Sequence, residues 1–142
     1  MDDLKPWASM LERLCWSHTF LCFLTQVSSE LAFPAYGIVL GFWGVYCAFT
    51  LHSRAIFGFI SFTALSFILD IVFCAQTSGQ GGGSATFATI VFIMSMFLKL
   101  PALWYASRIF SALGGAASLD AEASYQSGSP SKKGRRGDYA FE

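Results

Sequence analysis

The chain has 142 residues, of which 54% are hydrophobic, 17% aromatic and only 13% charged, with a formal net charge of zero and a mean hydropathy of +0.52. So few charges cannot cover the large relative surface of a small water-soluble domain, and the aromatic content excludes a disordered chain. The neutral balance supplies no field to attract nucleic acid, which leaves one compact membrane unit as the class to test.

Residues 1–14 (MDDLKPWASMLERL) are acidic and then mixed. No apolar core or small-residue cleavage site follows directly, so no cleaved secretory signal is expected. Asp2 offers no myristoylation site and the final residues no prenylation box. The sequence has no Asn and so no N-glycosylation acceptor.

A helix needs about 20 residues to cross a hydrocarbon core of about 30 Å. Residues 15–33 (CWSHTFLCFLTQVSSELAF) form the first candidate. His18, Cys22, Thr25 and Ser29 fall on one helical stripe, with aromatic and aliphatic residues over much of the rest. A spanning helix with one polar seam fits, as does a helix lying in the interface. Residues 35–51 (AYGIVLGFWGVYCAFTL) carry no charge, and 55–75 (AIFGFISFTALSFILDIVFCA) carry only Asp70. Residues 86–110 (TFATIVFIMSMFLKLPALWYASRIF) hold Lys99, Pro101 and Arg108. These last three runs are too long and too evenly apolar for alternating barrel strands.

The connections are short, which makes successive helices antiparallel neighbours. Pro34 ends the first run, His52-Ser53-Arg54 turns between the second and third, and QTSGQGGGS (76–84) links the third to the fourth. If all four runs span, Lys5, Arg13, Arg54 and the basic residues of the C-terminal region share one side, and both termini are cytosolic. The expected fold is therefore an all-α membrane protein. It comprises a cytosolic segment 1–14, an antiparallel bundle of four transmembrane helices over 15–112, and a disordered cytosolic tail over 113–142.

Ionisable groups at membrane depth point to function by default, and Asp70 and Lys99 are the two clear cases. Asp70 lies about 8 Å and Lys99 about 20 Å from the outer face by helical rise, an axial offset of about 12 Å. That offset assigns them separate roles. Asp70 faces the bundle or outer water, and Lys99 stretches toward the inner headgroups. Both can be satisfied packing groups, or parts of a proton or ion relay. Pro101 removes an N–H and clashes with the Phe97 carbonyl, so a kink is expected there.

Gly37, Gly41, Gly44 and Ala48 form a small-residue stripe that lets helix backbones approach, within the chain, against a partner or in a homo-oligomer. Cys15, Cys22, Cys47 and Cys74 include no CxxC pair and no metal spacing with His18 or His52. They read as buried thiols, with palmitoylation of Cys15 or Cys47 as the alternative. The tail is small and polar. Its basic cluster, Lys132, Lys133, Arg135 and Arg136, suits anionic membrane lipid, and Ser127, Ser129 and Ser131 beside it suit phosphorylation. No nucleophile elbow, phosphate loop, zinc motif or nucleic-acid face occurs, so no enzyme, cofactor or metal is expected.

Four stretches in order, LGFWGVY (40–46), FILDIVF (67–73), FIMSMFLKLP (92–101) and WYASRIF (104–110), resemble the type-1 angiotensin II receptor-associated protein family. Gly114-Gly115 and Ser124-Tyr125-Gln126 extend the likeness, which covers roughly residues 10–126. Leu100 departs from it by separating Lys99 from Pro101, and the tail diverges after Gln126. The resemblance implies a multi-pass protein of endoplasmic reticulum, Golgi, cytoplasmic vesicles and plasma membrane. It implies binding to the cytosolic tail of a seven-helix receptor, receptor internalisation and damped signalling. The contact would lie in residues 111–142, including Ser124, Tyr125, Gln126 and the basic cluster. A small transporter or channel subunit using Asp70 and Lys99, or a structural subunit of a larger membrane complex, are the alternatives.

Overall fold

A computed structural model describes residues 4–28, 34–77 and 83–119. Every regular element among them is helical: α1 (Lys5–Ser28), α2 (Tyr36–Thr50), α3 (Ser53–Thr77) and α4 (Gly83–Ala112). α1 starts ten residues before the apolar run that announces it. Pro6 lies in its first turn, where a missing N–H goes unused. α2 closes on Leu51, whose left-handed backbone (φ 48°) lets its N–H reach the Cys47 carbonyl. The turn is therefore Leu51-His52, and Ser53 and Arg54 already belong to α3.

α3 and α4 are long and apolar enough to cross a membrane, over Ser53–Gln76 and Thr86–Ala112. α2 is apolar but has 15 residues, a rise of about 22 Å. α1 is long enough, at 24 residues, but mixed in character. α4 runs unbroken through Pro101. Past it, Gly114 and Gly115 take positive φ and turn the chain into a short helical stretch over 115–119.

The helices form a ring in which each touches its chain neighbours and α1 closes against α4. Their inward residues repeat at alternating steps of three and four. α1 buries Ala8, Leu11, Cys15, His18, Cys22 and Thr25; α3 buries Ile56, Phe59, Thr63, Ser66 and Asp70. α4 buries Phe92, Ser95, Lys99, Ala102, Ala106 and Ile109 in the same rhythm. That spacing is the signature of near-antiparallel helices packed knobs into holes.

The polarity is inverted relative to a water-soluble domain. Thr63, Ser66, Asp70, Ser95 and Lys99 are buried, whereas Phe62, Leu65, Ile68, Ile90, Met94 and Phe97 stand outside. The larger apolar cluster lies at one end of the bundle, where Leu11, Cys15, Ile56, Phe59, Ala106 and Ile109 meet, and a smaller one lies at the other, where Ala88 and Phe92 pack with Phe73 and Cys74. Trp7 packs on Trp104 and Tyr105 at centroid distances of 5.5 and 5.7 Å, fastening the start of α1 to the end of α4.

Candidate functional site

The middle of the bundle is a polar seam built from all four helices. On α3, Thr63, Ser66 and Asp70 share one face; on α4, Ser95 and Lys99 do so one turn apart. Lys99 Nζ forms an ion pair with Asp70 Oδ2, and the two residues are 3% and 1% exposed. This overturns the separate roles expected from the sequence. Helical rise measures Cα positions, whereas side chains lean toward the N-terminus of their own helix. α3 and α4 are antiparallel, so Asp70 leans down toward Lys99 while the long Lys99 arm leans up toward Asp70. Snorkelling to the inner headgroups is replaced by an internal partner.

The pair is completed by three further groups. Tyr36, the first residue of α2, donates its hydroxyl proton to Asp70 Oδ1. Lys99 also donates to Ser66 Oγ at 2.9 Å, and Ser66 donates in turn to the Thr63 carbonyl at 2.9 Å. The ammonium lies 5.3 Å from the centre of the Tyr36 ring, within cation–π range. Each carboxylate oxygen therefore has a donor, as a buried ion pair requires if desolvation is to be offset.

A second cluster lies beside it on α1 and α4. His18 Nδ1 is 3.0 Å from the Ser95 carbonyl. A carbonyl only accepts, so the neutral ring carries its proton on Nδ1 and leaves Nε2 as an acceptor. Cys22 Sγ, 3.6 Å from Nε2, supplies a weak S–H donor. Ser95 donates to the Phe92 carbonyl at 2.7 Å, and Thr25 to the Cys22 carbonyl at 2.7 Å. The stripe of His18, Cys22 and Thr25 on the first segment thus faces inward; Ser29 lies outside the described residues.

Between the clusters is a cavity of about 10 Å³, bordered by His18, Gly41, Thr63 and Lys99. Such a space is about the size of one water. Most of the seam's groups pair with one another, whereas Thr63 Oγ1, beside the cavity, is buried with no hydrogen-bond partner among the described residues. Among the described residues no three potential ligands gather to hold a metal.

The glycine stripe lies against α1. A Cβ on Gly37 would come within 2.6 Å of Cys22 Sγ, one on Gly41 would collide with Thr19, and one on Gly44 with Cys15. Gly37, Gly41, Gly44 and Ala48 are all buried, so that face is already filled from within the chain. Cys15 and Cys47 are buried too, at 2% and 0% exposure, which closes them to acylation in the packed bundle. Ser124, Tyr125, Gln126, Lys132, Lys133, Arg135 and Arg136 fall outside the described residues.

Sequence reasoning missed Tyr36, Ser66 and Ser95. Ser66 and Ser95 each stand four residues before the charged group of their own helix, a spacing that marks the face both share. Tyr36 carries no such signal, since only the antiparallel return of α2 brings it to Asp70. No family model matches the chain, and neither a curated protein nor a solved structure does.

Proposed function

We propose that the chain is a four-span membrane adaptor, without catalytic activity, whose cytosolic tail binds the cytosolic tail of a seven-helix receptor. The observation that carries the membrane part is the inverted polarity. Asp70 and Lys99 are sealed inside with their partners, while Phe62, Ile68, Met94 and Phe97 face outward. Lipid supplies no hydrophobic drive between helices, so polar pairs and small residues must hold such a bundle together. α1 and α2 join α3 and α4 as spans because they contribute His18, Cys22 and Tyr36 to the same seam. The Trp7–Trp104–Tyr105 cluster then sits at the cytosolic headgroup level, where amphipathic rings are favoured.

The receptor part rests on the resemblance to type-1 angiotensin II receptor-associated proteins. The residues that carry it include those that build the seam and the α1–α2 contact: Asp70, Ser95, Lys99, Gly41 and Gly44. On this reading the membrane body is the anchor, and residues 111–142 make the contact that promotes internalisation and damps signalling. The sites of action are endoplasmic reticulum, Golgi, cytoplasmic vesicles and plasma membrane.

The test compares the full chain with one lacking residues 111–142, each co-expressed with the angiotensin II type-1 receptor. Both forms should resist carbonate extraction, and only the full chain should co-purify with the receptor. Undiminished co-purification of the shortened chain would overturn the tail assignment. Extraction of the full chain by carbonate would overturn the membrane reading.

A further inference from the structure

Thr63 lies in the polar seam at 2% exposure, and its hydroxyl oxygen pairs with no group among the described residues. Its buried neighbours behave otherwise. Thr19, Thr25, Ser66 and Ser95 each donate to a carbonyl three or four residues back in their own helix. A hydroxyl taken out of water without a replacement partner is costly, so Thr63 calls for a partner that the chain itself does not supply.

Lys99 has donor capacity to match. An ammonium carries three N–H donors. One serves Asp70 and one serves Ser66 Oγ. The Tyr36 ring, 5.3 Å away, attracts the charge as a whole and takes no hydrogen bond of ordinary length. At 3% exposure bulk water does not reach the third donor.

Both residues border the same cavity of about 10 Å³, with Cys15, Gly41, Phe59 and Ala102 around them. That space is at the size of a single water, and an ordered buried water takes about two to four polar partners. Nothing larger enters, which excludes an organic ligand.

We propose that this cavity is a binding site for one structural water, which accepts a hydrogen bond from Lys99 Nζ and donates one to Thr63 Oγ1. The water extends the grip of α3 on the ammonium to three successive turns: Asp70 and Ser66 directly, Thr63 through the water. The third donor of the buried ammonium is then satisfied, as a desolvated ion pair requires. The site needs only the packed bundle, so it stands or falls apart from the membrane and receptor readings above.

The test uses the full chain in mild detergent. Thr63→Val keeps the shape of the side chain and removes only its hydroxyl. With the water bridged, the variant should lower the thermal midpoint by about 3–6 °C. In the Asp70→Leu/Lys99→Met background, where the water has lost its donor, the same substitution should leave the midpoint unchanged or raise it. Magnetisation transfer from water in the unsubstituted chain should reach the Thr63 side chain. Thr25, as deeply buried but bonded to the Cys22 carbonyl, should receive none at the same mixing time. A midpoint that rises or holds in Thr63→Val would mean a dry cavity beside an unpaired hydroxyl. An equal fall in both backgrounds would mean that the hydroxyl bonds within its own helix. Either result, or no transfer from water to Thr63, would overturn the water site.

Discussion

Lys99 on α4 pairs with Asp70 on α3, although helical rise counted from level helix ends would set the two about 12 Å apart along the bundle. The register of the two helices, which seats Phe57 on Phe110 and Phe73 on Phe92, removes most of that offset, the antiparallel lean of the side chains closes the rest, and Tyr36 and Ser66 occupy the donor and acceptor sites left over. Removing one partner strands a charge in an apolar interior, at a cost of about 3–5 kcal/mol. Lys99→Met should therefore lower the thermal midpoint in mild detergent sharply. The double variant Asp70→Leu/Lys99→Met removes both charges and should recover most of the loss. A double variant as unstable as the single one would show that the pair is not mutually compensating.

Tyr36→Phe tests the third member of the seam. It deletes one hydrogen bond to a charged acceptor while keeping the ring over Lys99. Such bonds contribute about 1.5–3 kcal/mol in water-soluble proteins, whereas polar contacts between membrane helices average about 0.6 kcal/mol. The expected loss of about 1–2 kcal/mol lies between these and should vanish in the Asp70→Leu/Lys99→Met background, which has no acceptor for the Tyr36 hydroxyl. An equal loss in both backgrounds would mean that Tyr36 acts by packing alone.

Much of the bundle was legible in the residues, because length and apolarity fix where helices run. The inward stripe of His18, Cys22 and Thr25 and the small-residue stripe on α2 follow from helical spacing. The first ten residues of α1 did not show, since Lys5, Glu12 and Arg13 dilute the apolar signal; their only marks are Pro6 and the Ala8–Leu11–Cys15 spacing. The Asp70–Lys99 pair was out of reach because axial arithmetic assumes level helix ends and ignores side-chain direction, whereas the register is set by contacts such as Phe57–Phe110 and Phe73–Phe92. Tyr36 was out of reach because its partner is set by the return path of α2 rather than by any local pattern.

The α1–α2 contact should respond to added methyl groups in a definite order. At Gly41 a Cβ meets Thr19 and lies 3.2 Å from the Cys15 carbonyl, which cannot rotate away. At Gly37 it meets the Cys22 sulfur, the free end of a side chain. Gly41→Ala should cost about 1–3 kcal/mol by overpacking and Gly37→Ala less. Gly83, at the start of α4, has nothing within 4 Å, so Gly83→Ala should be neutral or slightly stabilising. Thermal melts of the three variants in one detergent would check the order. Equal effects at Gly41 and Gly83 would mean that α2 does not press on α1 as described.

Thiol accessibility gives an independent reading of the same packing. Cys15, Cys22 and Cys47 are 2%, 5% and 0% exposed, whereas Cys74 is partly exposed three residues before the end of α3. Alkylation needs the thiolate and access, and a buried thiol in apolar surroundings has neither. A membrane-permeant maleimide should therefore modify Cys74 first in the folded protein, and the other three only after denaturation in strong detergent. In Gly41→Leu, which forces α2 off α1, Cys15 should become reactive without denaturant. Mass spectrometry of the alkylated peptides separates the sites. Modification of Cys15 or Cys47 in the native chain as fast as Cys74 would place α1 and α2 apart, and would reopen both thiols to acylation.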